Sequence, residues 1–438
     1  MSNKKGLLAL SPLFLLIVLI VAFTVYSVDS SLQDTSLSLT VAFMISSIYA
    51  VAISGGMPVR KRVDTYSKGA GANNLMLMLW IYVLAGSFAA SAKAMGAVDA
   101  TVNLALSILP ASMILPGLFL AACFISVSIG TSVGTVVALV PIAAGLAHSM
   151  DANVGMMTAI IVGGAYFGDN LSFISDTTIA ACSTQGCEMK DKFRTNFRIA
   201  LPAALVTLAL IIVFSLKSDI GAVEISEYHL LQTVPYLLVL VGGVAGVNVF
   251  LVLLTGVFSG AIIVLATGAV HPTELLGNMG SGASGMFETI MVTILVSAMC
   301  GLIREYGGFE ALLGFIRRIF HGNKGGQLGI GLLVGAMDIA TANNTVAIVM
   351  AGPIAKQMSE EYGITGKKSA SLLDTFSCIF QGIIPYGAQM LLSISAVSEL
   401  GETLTAFQII PFLFYPFLLL ISSLVFIFLV PERKAAGH

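Results

Sequence analysis

No charged residue interrupts Leu7–Val28, Leu201–Leu216 or Leu404–Val430. At 1.5 Å per helical residue, runs of this kind can cross a hydrocarbon core about 30 Å thick. Backbone in lipid must satisfy its own hydrogen bonds, which leaves only helices or closed barrels. Barrel strands would appear as alternating segments of about 10 residues, and these runs do not alternate. Charged residues make up 10% of the chain and hydrophobic ones 57%, whereas a soluble domain is about 25% charged. Mean hydropathy is +0.96. The expectation is an all-α polytopic protein whose first partner is the lipid bilayer. A net charge of −2 gives no reason to expect nucleic acid as a partner.

Apolar spans are predicted at 7–28, 36–56, 71–92, 101–128, 132–150, 153–180, 197–216, 230–247, 249–270, 286–303, 325–341, 343–358, 370–395 and 404–430. Some are candidates for re-entrant hairpins, 101–128 and 325–341 first among them. Leu7–Val28 is longer than the apolar part of a signal peptide and lacks a small-residue cleavage site, so it is read as the first span. The five cysteines are scattered in or beside apolar runs and are read as small apolar residues, not as a disulfide framework.

Loop charge orients the chain. Lys4-Lys5, Arg60-Lys61-Arg62 with Lys68, Lys190/Lys192/Arg194/Arg198, Arg304 with Arg317-Arg318 and Lys324, Lys367-Lys368 and Arg433-Lys434 form a basic set. Asp29/Asp34, Asp219/Glu224/Glu227, His271/Glu274 and Glu399/Glu402 form the other. Basic loops stay cytoplasmic. Threading the spans between the sets puts both termini in the cytoplasm, here of a bacterial inner membrane.

Two stretches look like distorted copies. Thr131-Ser132-Val133-Gly134-Thr135-Val136 is followed by Gly168-Asp169-Asn170 and Ser175-Asp176-Thr177-Thr178. Thr341-Ala342-Asn343-Asn344-Thr345-Val346 is followed by Asp374-Thr375 and Gln381. The offset from Thr131 to Thr341 is 210 residues. By loop charge, 132–150 runs outward and 343–358 inward, so the copies oppose each other. That is the trace of an inverted-repeat secondary transporter with two broken helices and re-entrant hairpins. The expected organisation is N-terminal spans in 1–70, repeat 1 in 71–216, connecting spans in 217–285 and repeat 2 in 286–438.

The chemistry follows from these runs. Glycine, serine and threonine are poor helix formers, and unwound backbone at membrane depth survives only where it is buried or lines a cavity. Its carbonyls and hydroxyls suit Na⁺, and half-helix ends add dipole fields. For Gly130 and Gly134 alone, small-residue helix packing is the competing reading. Asp169 and Asp176 are seven residues apart, so two helical turns place them on one face. A carboxylate there costs at least ~2.5 kcal/mol on insertion scales, which implies water, a cation or a proton. Burial raises a carboxyl pKa, which lets it exchange H⁺ for Na⁺ near neutral pH. Ser172, Ser175, Thr177 and Thr178 surround the pair with hydroxyls. The competing readings are an interfacial Asp176 and an Asp169 that caps a following half-helix. Asp338 precedes the second broken run, and Asp374 is either functional or a surface neighbour of Lys367-Lys368. Glu288 and His148 are read as interfacial. Gln381, Tyr386 and Gln389 are candidates to line a cavity, with Pro385 kinking their helix.

The string Gly168-Asp169-Asn170-Leu171-Ser172 with Ser175-Asp176-Thr177-Thr178, preceded by Gly130–Thr135, resembles the NhaC family of sodium/proton antiporters, part of the ion transporter superfamily. Hydropathy and order resemble that family over nearly the whole chain. The resemblance implies inverted repeats with broken helices and hairpins. It also implies Na⁺ ligands from Thr131, Ser132, Thr135, Asp169, Ser172, Ser175, Asp176, Asn343, Asn344 and Thr345, with Thr131, Ser132, Asp169 and Asn343 nearest the ion. Asn170, Thr177, Asp338, Asp374, Gln381 and Tyr386 are candidates to line a substrate path. No cofactor is expected, since Na⁺ and H⁺ are the transported or coupling ions. A homodimer is among the expected assemblies. Na⁺/H⁺ antiport by alternating access is the leading expectation. The alternative is Na⁺- or H⁺-coupled transport of a small amino acid or organic acid. No nucleotide motif, metal cluster or nucleophile constellation suggests an enzyme. The absence of a basic residue near the polar core favours a bare ion or zwitterion over a dicarboxylate.

Overall fold

The computed structural model describes the chain from Gly6 to Val430, apart from residues 7, 29–38, 55, 72, 109, 173–174, 218–226, 246 and 269. Lys4, Lys5, Asp29, Asp34, Asp219, Glu224, Arg433 and Lys434, used above for orientation, lie outside the described residues. The first half holds α1 (Ser11–Val28), α2 (Leu39–Ile53), α3 (Val59–Ala70), α4 (Asn73–Ala94), α5 (Ala97–Ile108), α6 (Ala111–Ile129), α7 (Ser132–Ser149), α8 (Val154–Leu171), α9 (Asp176–Gln185) and α10 (Met189–Lys217). The second holds α11 (Leu230–Val244), α12 (Val249–Thr267), α13 (Pro272–Gly285), α14 (Phe287–Glu305), α15 (Gly308–Ile319), α16 (Gly322–Thr341), α17 (Asn344–Tyr362), α18 (Gly366–Ile383), α19 (Ala388–Glu399), α20 (Ala406–Ile409) and α21 (Phe414–Leu429).

Among the described residues, six helical runs can cross a bilayer by length and composition: 132–149, 154–185, 189–217, 250–267, 272–305 and 366–399. Two further pairs qualify as bent spans. Residues 79–94 turn by 75° into 97–108, and Ala406–Phe412 turn by 51° into Phe414–Leu429.

The breaks are more numerous than the sequence suggested. The predicted span 101–128 is two helices, α5 and α6, with Pro110 as the cap of α6. Proline supplies no ladder N–H, so the chain restarts there. The spans 153–180 and 370–395 are also interrupted, between Leu171 and Asp176 and between Ile383 and Ala388. Pro385 lies in the second gap. Besides the two expected breaks, then, each carboxylate span carries one of its own. In the other direction, α10 starts at Met189, so the basic cluster assigned to a loop is helical.

The halves share one plan. Helices α7, α8 and α9 start at 132, 154 and 176, and α17, α18 and α19 start at 344, 366 and 388, a step of 212 each time. Packing partners exchange as a two-fold relation requires: α7 packs on α19 and α9 on α17, while α4 packs on α12 and α14 on α2. The step is not confined to 71–216 and 286–438. It relates α2 and α3 to α12 and α13, which the sequence reading had set aside as N-terminal and connecting spans.

Backbone conformation fixes the register. Gly130 ends α6 in the left-handed region at φ 74°. Ala342 ends α16 there at φ 49°. Thr131 and Asn343 follow, both extended at φ −150°. Thr131 therefore matches Asn343, Ser132 matches Asn344, and Asp169 matches Gln381. The register of 210 aligned identical letters, Thr131 with Thr341, two residues out of step. What recurs is a left-handed residue followed by an extended one, and that demand leaves side-chain identity free.

Small residues set the helix spacing. On α8, a Cβ at Gly164 would lie 2.6 Å from Ala122 Cβ and 2.9 Å from the Phe119 carbonyl oxygen of α6, and Gly168 sits on Ser126. In the second half the glycines are on the other helix. Gly331 and Gly335 of α16 lie under the rings of Phe376 and Phe380 of α18, with Cβ approaches of 2.7 and 2.3 Å. Phe119 and Gly331, like Gly164 and Phe376, are matched positions, so the phenylalanine and the glycine have exchanged helices, although it is the Phe119 main chain and not its ring that meets Gly164.

A left-handed alanine costs about 1–2 kcal/mol that glycine avoids. Ala342→Gly should raise the thermal midpoint of the detergent-purified protein, by about 1 kcal/mol in stability, and Gly130→Ala should lower it similarly. A lower midpoint for Ala342→Gly would contradict the conformation assigned to that break.

Candidate functional site

Four breaks gather around Asp169, two reaching its carboxylate directly and two through Ser132 or the Asp169 main chain. Asp169, 3% exposed, lies near the end of α8. It accepts the Ser132 main-chain N–H at 2.9 Å and the Ser132 hydroxyl. Asn344 Nδ2 approaches it at 3.4 Å. Ser132 and Asn344 open α7 and α17, so two half-helix N-termini, the positive dipole ends, converge on one anion. Gln389 Nε2 donates to Ser132 Oγ at 2.8 Å. Gln381 Nε2 donates to Gln389 Oε1 at 3.0 Å and to the Ala342 carbonyl at 3.1 Å. Across the fourth break, Thr177 Oγ1 lies 3.4 Å from the Asp169 carbonyl and 2.8 Å from Ser175 Oγ.

A second buried cluster lies beside it. Lys192 and Asp374, with side chains 1% and 0% exposed, form an ion pair at 2.6 Å. Lys192 Nζ also donates to the Asn170 carbonyl at 3.0 Å and to Thr178 Oγ1 at 2.7 Å, which uses all three ammonium donors. Asn196 Nδ2 donates to the same carbonyl and to Asp374 Oδ2, each at 2.8 Å. Ser371 and Thr375 donate to Asn196 Oδ1. The cluster thus holds the backbone next to Asp169 where α8 ends.

These contacts sort the sequence candidates. Thr131, Ser132, Asp169, Ser175, Asp176, Thr177, Asn343, Asn344 and Thr345 border one cavity of 470 Å³. Within it Asp176 is exposed, the first residue of α9. The break ends the continuous helix that would have put Asp169 and Asp176 on one face. Asn343 caps α17, its Oδ1 accepting the Val346 N–H at 2.9 Å. Thr135 is buried inside α7, donating to the Thr131 carbonyl at 3.1 Å, and Ser172 ends α8 outside the cavity lining. The Asn170 amide turns back to the Tyr166 carbonyl at 2.8 Å. Tyr386 donates to the Ile339 carbonyl at 2.7 Å. Asp374 is in the interior and not beside a surface lysine. Asp338 is fully buried and borders neither this cavity nor the next. His148 is 83% exposed, 3.3 Å from Glu402, as an interfacial histidine should be.

The expectation that no basic residue approaches the polar core is corrected by Lys192. Counting loop charges placed it at the membrane surface. The available signal was its spacing to Asn196, one helical turn apart on a helix that enters the apolar run 201–216.

A second cavity, of 620 Å³, reaches the same breaks from another side, bordered by Thr341, Ala342, Asn343 and Tyr386. It extends to the exposed ion pairs Lys61–Glu305 and Lys68–Asp64, at 3.6 and 2.9 Å. Tyr82 and Asn343 border both cavities.

Removing one partner of a buried ion pair typically costs ~3–5 kcal/mol, because the other charge stays buried and unpaired. Lys192→Met should therefore lower thermal stability strongly, and adding Asp374→Leu should recover most of the loss. A double variant no more stable than Lys192→Met would show that the pair is not what holds this region.

The model of the Na⁺/H⁺ antiporter family matches residues 6–216 and 220–430, two stretches of equal length that coincide with the two halves. An uncharacterized Na⁺/H⁺ antiporter of Haemophilus influenzae is 22% identical over 319 residues, 64% of this chain and 68% of that protein. The Na⁺/H⁺ antiporter NhaC of Bacillus subtilis is 24% identical over 388 residues, covering 79% and 81%. The malate-2H⁺/Na⁺-lactate antiporter of the same organism is 22% identical over 330 residues, covering 67% and 68%. With both halves matched and the breaks arranged around one carboxylate, the chain belongs to the Na⁺/H⁺ antiporter family.

Proposed function

We propose that this protein exchanges Na⁺ for H⁺ by alternating access in the cytoplasmic membrane, with Asp169 as the carboxylate the two ions share. The observation that carries this is the gathering of four helix breaks around Asp169. A carboxylate there has a hydroxyl, two amide side chains and a helix N-terminus arranged about it, beside a 470 Å³ cavity. With Na⁺ bound, Asp169 is ionised and the Ser132, Ser175 and Thr177 oxygens are hard donors within the same cavity. With Na⁺ gone, a proton neutralises the buried group. Loop charge supports cytoplasmic termini and opposed halves, and the 620 Å³ cavity reaches the charged residues of the basic side. Movement of one set of breaks against the other would carry access from one face to the other.

A second reading draws on cavity size. A volume of 470 Å³ is within the range of small-molecule sites and exceeds what a bare ion needs. One relative is named for malate and lactate. A small carboxylate could be held by the N-termini of α7 and α17 and by Asn343 and Asn344. Liposome flux assays that read Na⁺, pH and labelled organic acids in parallel separate the two readings.

Asp169→Asn keeps the shape and removes charge and titration. It should insert and fold, yet exchange should fall to the level of empty liposomes, while Glu360→Gln on an exposed helix face behaves as the parent. Retention of the parent's rate and pH profile by Asp169→Asn would make Asp169 structural and sink the mechanism.

Na⁺ should also protect the folded protein by mass action, by about 2.7 kcal/mol at a hundredfold excess over Kd. K⁺ at equal ionic strength should protect less. Equal protection by both salts would remove the Na⁺ site.

A further inference from the structure

Asp338 plays no part in the mechanism above, yet among the described residues it is the buried carboxyl with both oxygens unsatisfied. It is fully buried, and neither carboxyl oxygen has a hydrogen-bond partner. The one main-chain N–H that approaches it, that of Gln381, lies inside α18, where the helix ladder uses it. The titratable groups within electrostatic reach are Tyr166 of α8, Cys378 of α18 and Tyr386 of the α18–α19 break. Cys300 of α14 donates to the carbonyl of Ala340, two residues along the chain from Asp338. None of these is a cation. Asp338 also sits on the last turn of α16, its carbonyl accepting the Ala342 N–H at 2.7 Å, where the negative dipole end opposes an anion.

The matched half shows that packing does not require this carboxyl. The position equivalent to Asp338 on the 212 step is Ser126, also fully buried, whose hydroxyl donates to the Ala165 carbonyl at 2.6 Å. A small satisfied hydroxyl fills the site in one half, and an unsatisfied carboxyl fills it in the other. An unpaired buried anion costs several kcal/mol, which a proton removes. One helical turn away, Thr341 and Ala342 border the 620 Å³ cavity.

We infer that Asp338 is a second proton-binding site, separate from Asp169, which takes up a proton from one face of the membrane, keeps it while the α16–α17 break is closed over it and releases it to the other face through the 620 Å³ cavity when the break opens. This rests on the Na⁺/H⁺ exchange proposed above. Its consequence is that each cycle moves more protons than Asp169 alone can carry, so exchange is electrogenic.

The test uses the full chain in liposomes, with Na⁺ flux and pH measured at membrane potentials set by K⁺ and valinomycin. The parent should show voltage-dependent exchange. Asp338→Asn and Asp338→Ser, the latter copying Ser126, should still exchange, with the H⁺:Na⁺ ratio falling by about half and the voltage dependence lost. A parent that exchanges Na⁺ for H⁺ without voltage dependence, or variants that keep the parent's ratio, would overturn the second site and leave the exchange reading intact. A parent with no exchange would instead overturn that reading. If neither variant transports, infrared spectra of the folded proteins decide. The parent should carry the C=O stretch of a protonated carboxyl that Asp338→Ser lacks, and identical spectra would end the proposal.

Discussion

The hydrogen bonds onto Asp169 are the constraint on which the rest of the arrangement depends. Breaking a helix at membrane depth frees N–H and C=O groups that lipid cannot satisfy. Here the freed groups of one break are answered by side chains from the others. Ser132 turns its N–H to Asp169, Gln389 reaches Ser132, and Gln381 reaches the carbonyl of Ala342. No break can be moved alone without costing another its partner. The Lys192–Asp374 pair has a different task. Its donors are fully used within the protein, and it grips the Asn170 carbonyl, so it holds the end of α8 against α10 and α18.

Much of this was legible in the sequence because membranes are strict. Long uncharged runs forced an all-helical reading, and glycine, threonine and asparagine in mid-run marked the breaks at Thr131 and Asn343. Asp169 stood out because a carboxylate in an apolar run needs a reason. Other features were hidden for physical causes. The register was misjudged by two residues because the repeated property is a left-handed residue followed by an extended one, which Gly130-Thr131 and Ala342-Asn343 share without sharing a letter. The break after Leu171 falls in a run that still reads as helical. Lys192 was taken for a loop charge because hydropathy does not say which face of a helix enters the core.

The two halves are alike in path and unlike in charge. Asp169 is matched by Gln381, and Ser132 by Asn344. A two-fold frame so occupied sets one carboxylate, not a pair, at the crossing. Two carboxylates facing each other there would repel, and one would hold a proton permanently. A carboxylate matched by an amide avoids that repulsion.

The exchange of phenylalanine and glycine between the halves bears on how such a chain can change over time. Gly164 admits the Phe119 main chain and the Ala122 methyl, whereas Gly331 admits the Phe376 ring, two different solutions to one packing problem. Placing α6 where α16 stands would set a phenylalanine ring against the Phe376 ring, a clash that Gly331 avoids. The unit that can be inherited or recombined is therefore the helix pair, α6 with α8 or α16 with α18. In an alignment of relatives, these positions should covary within each half, and their polarity should reverse between halves.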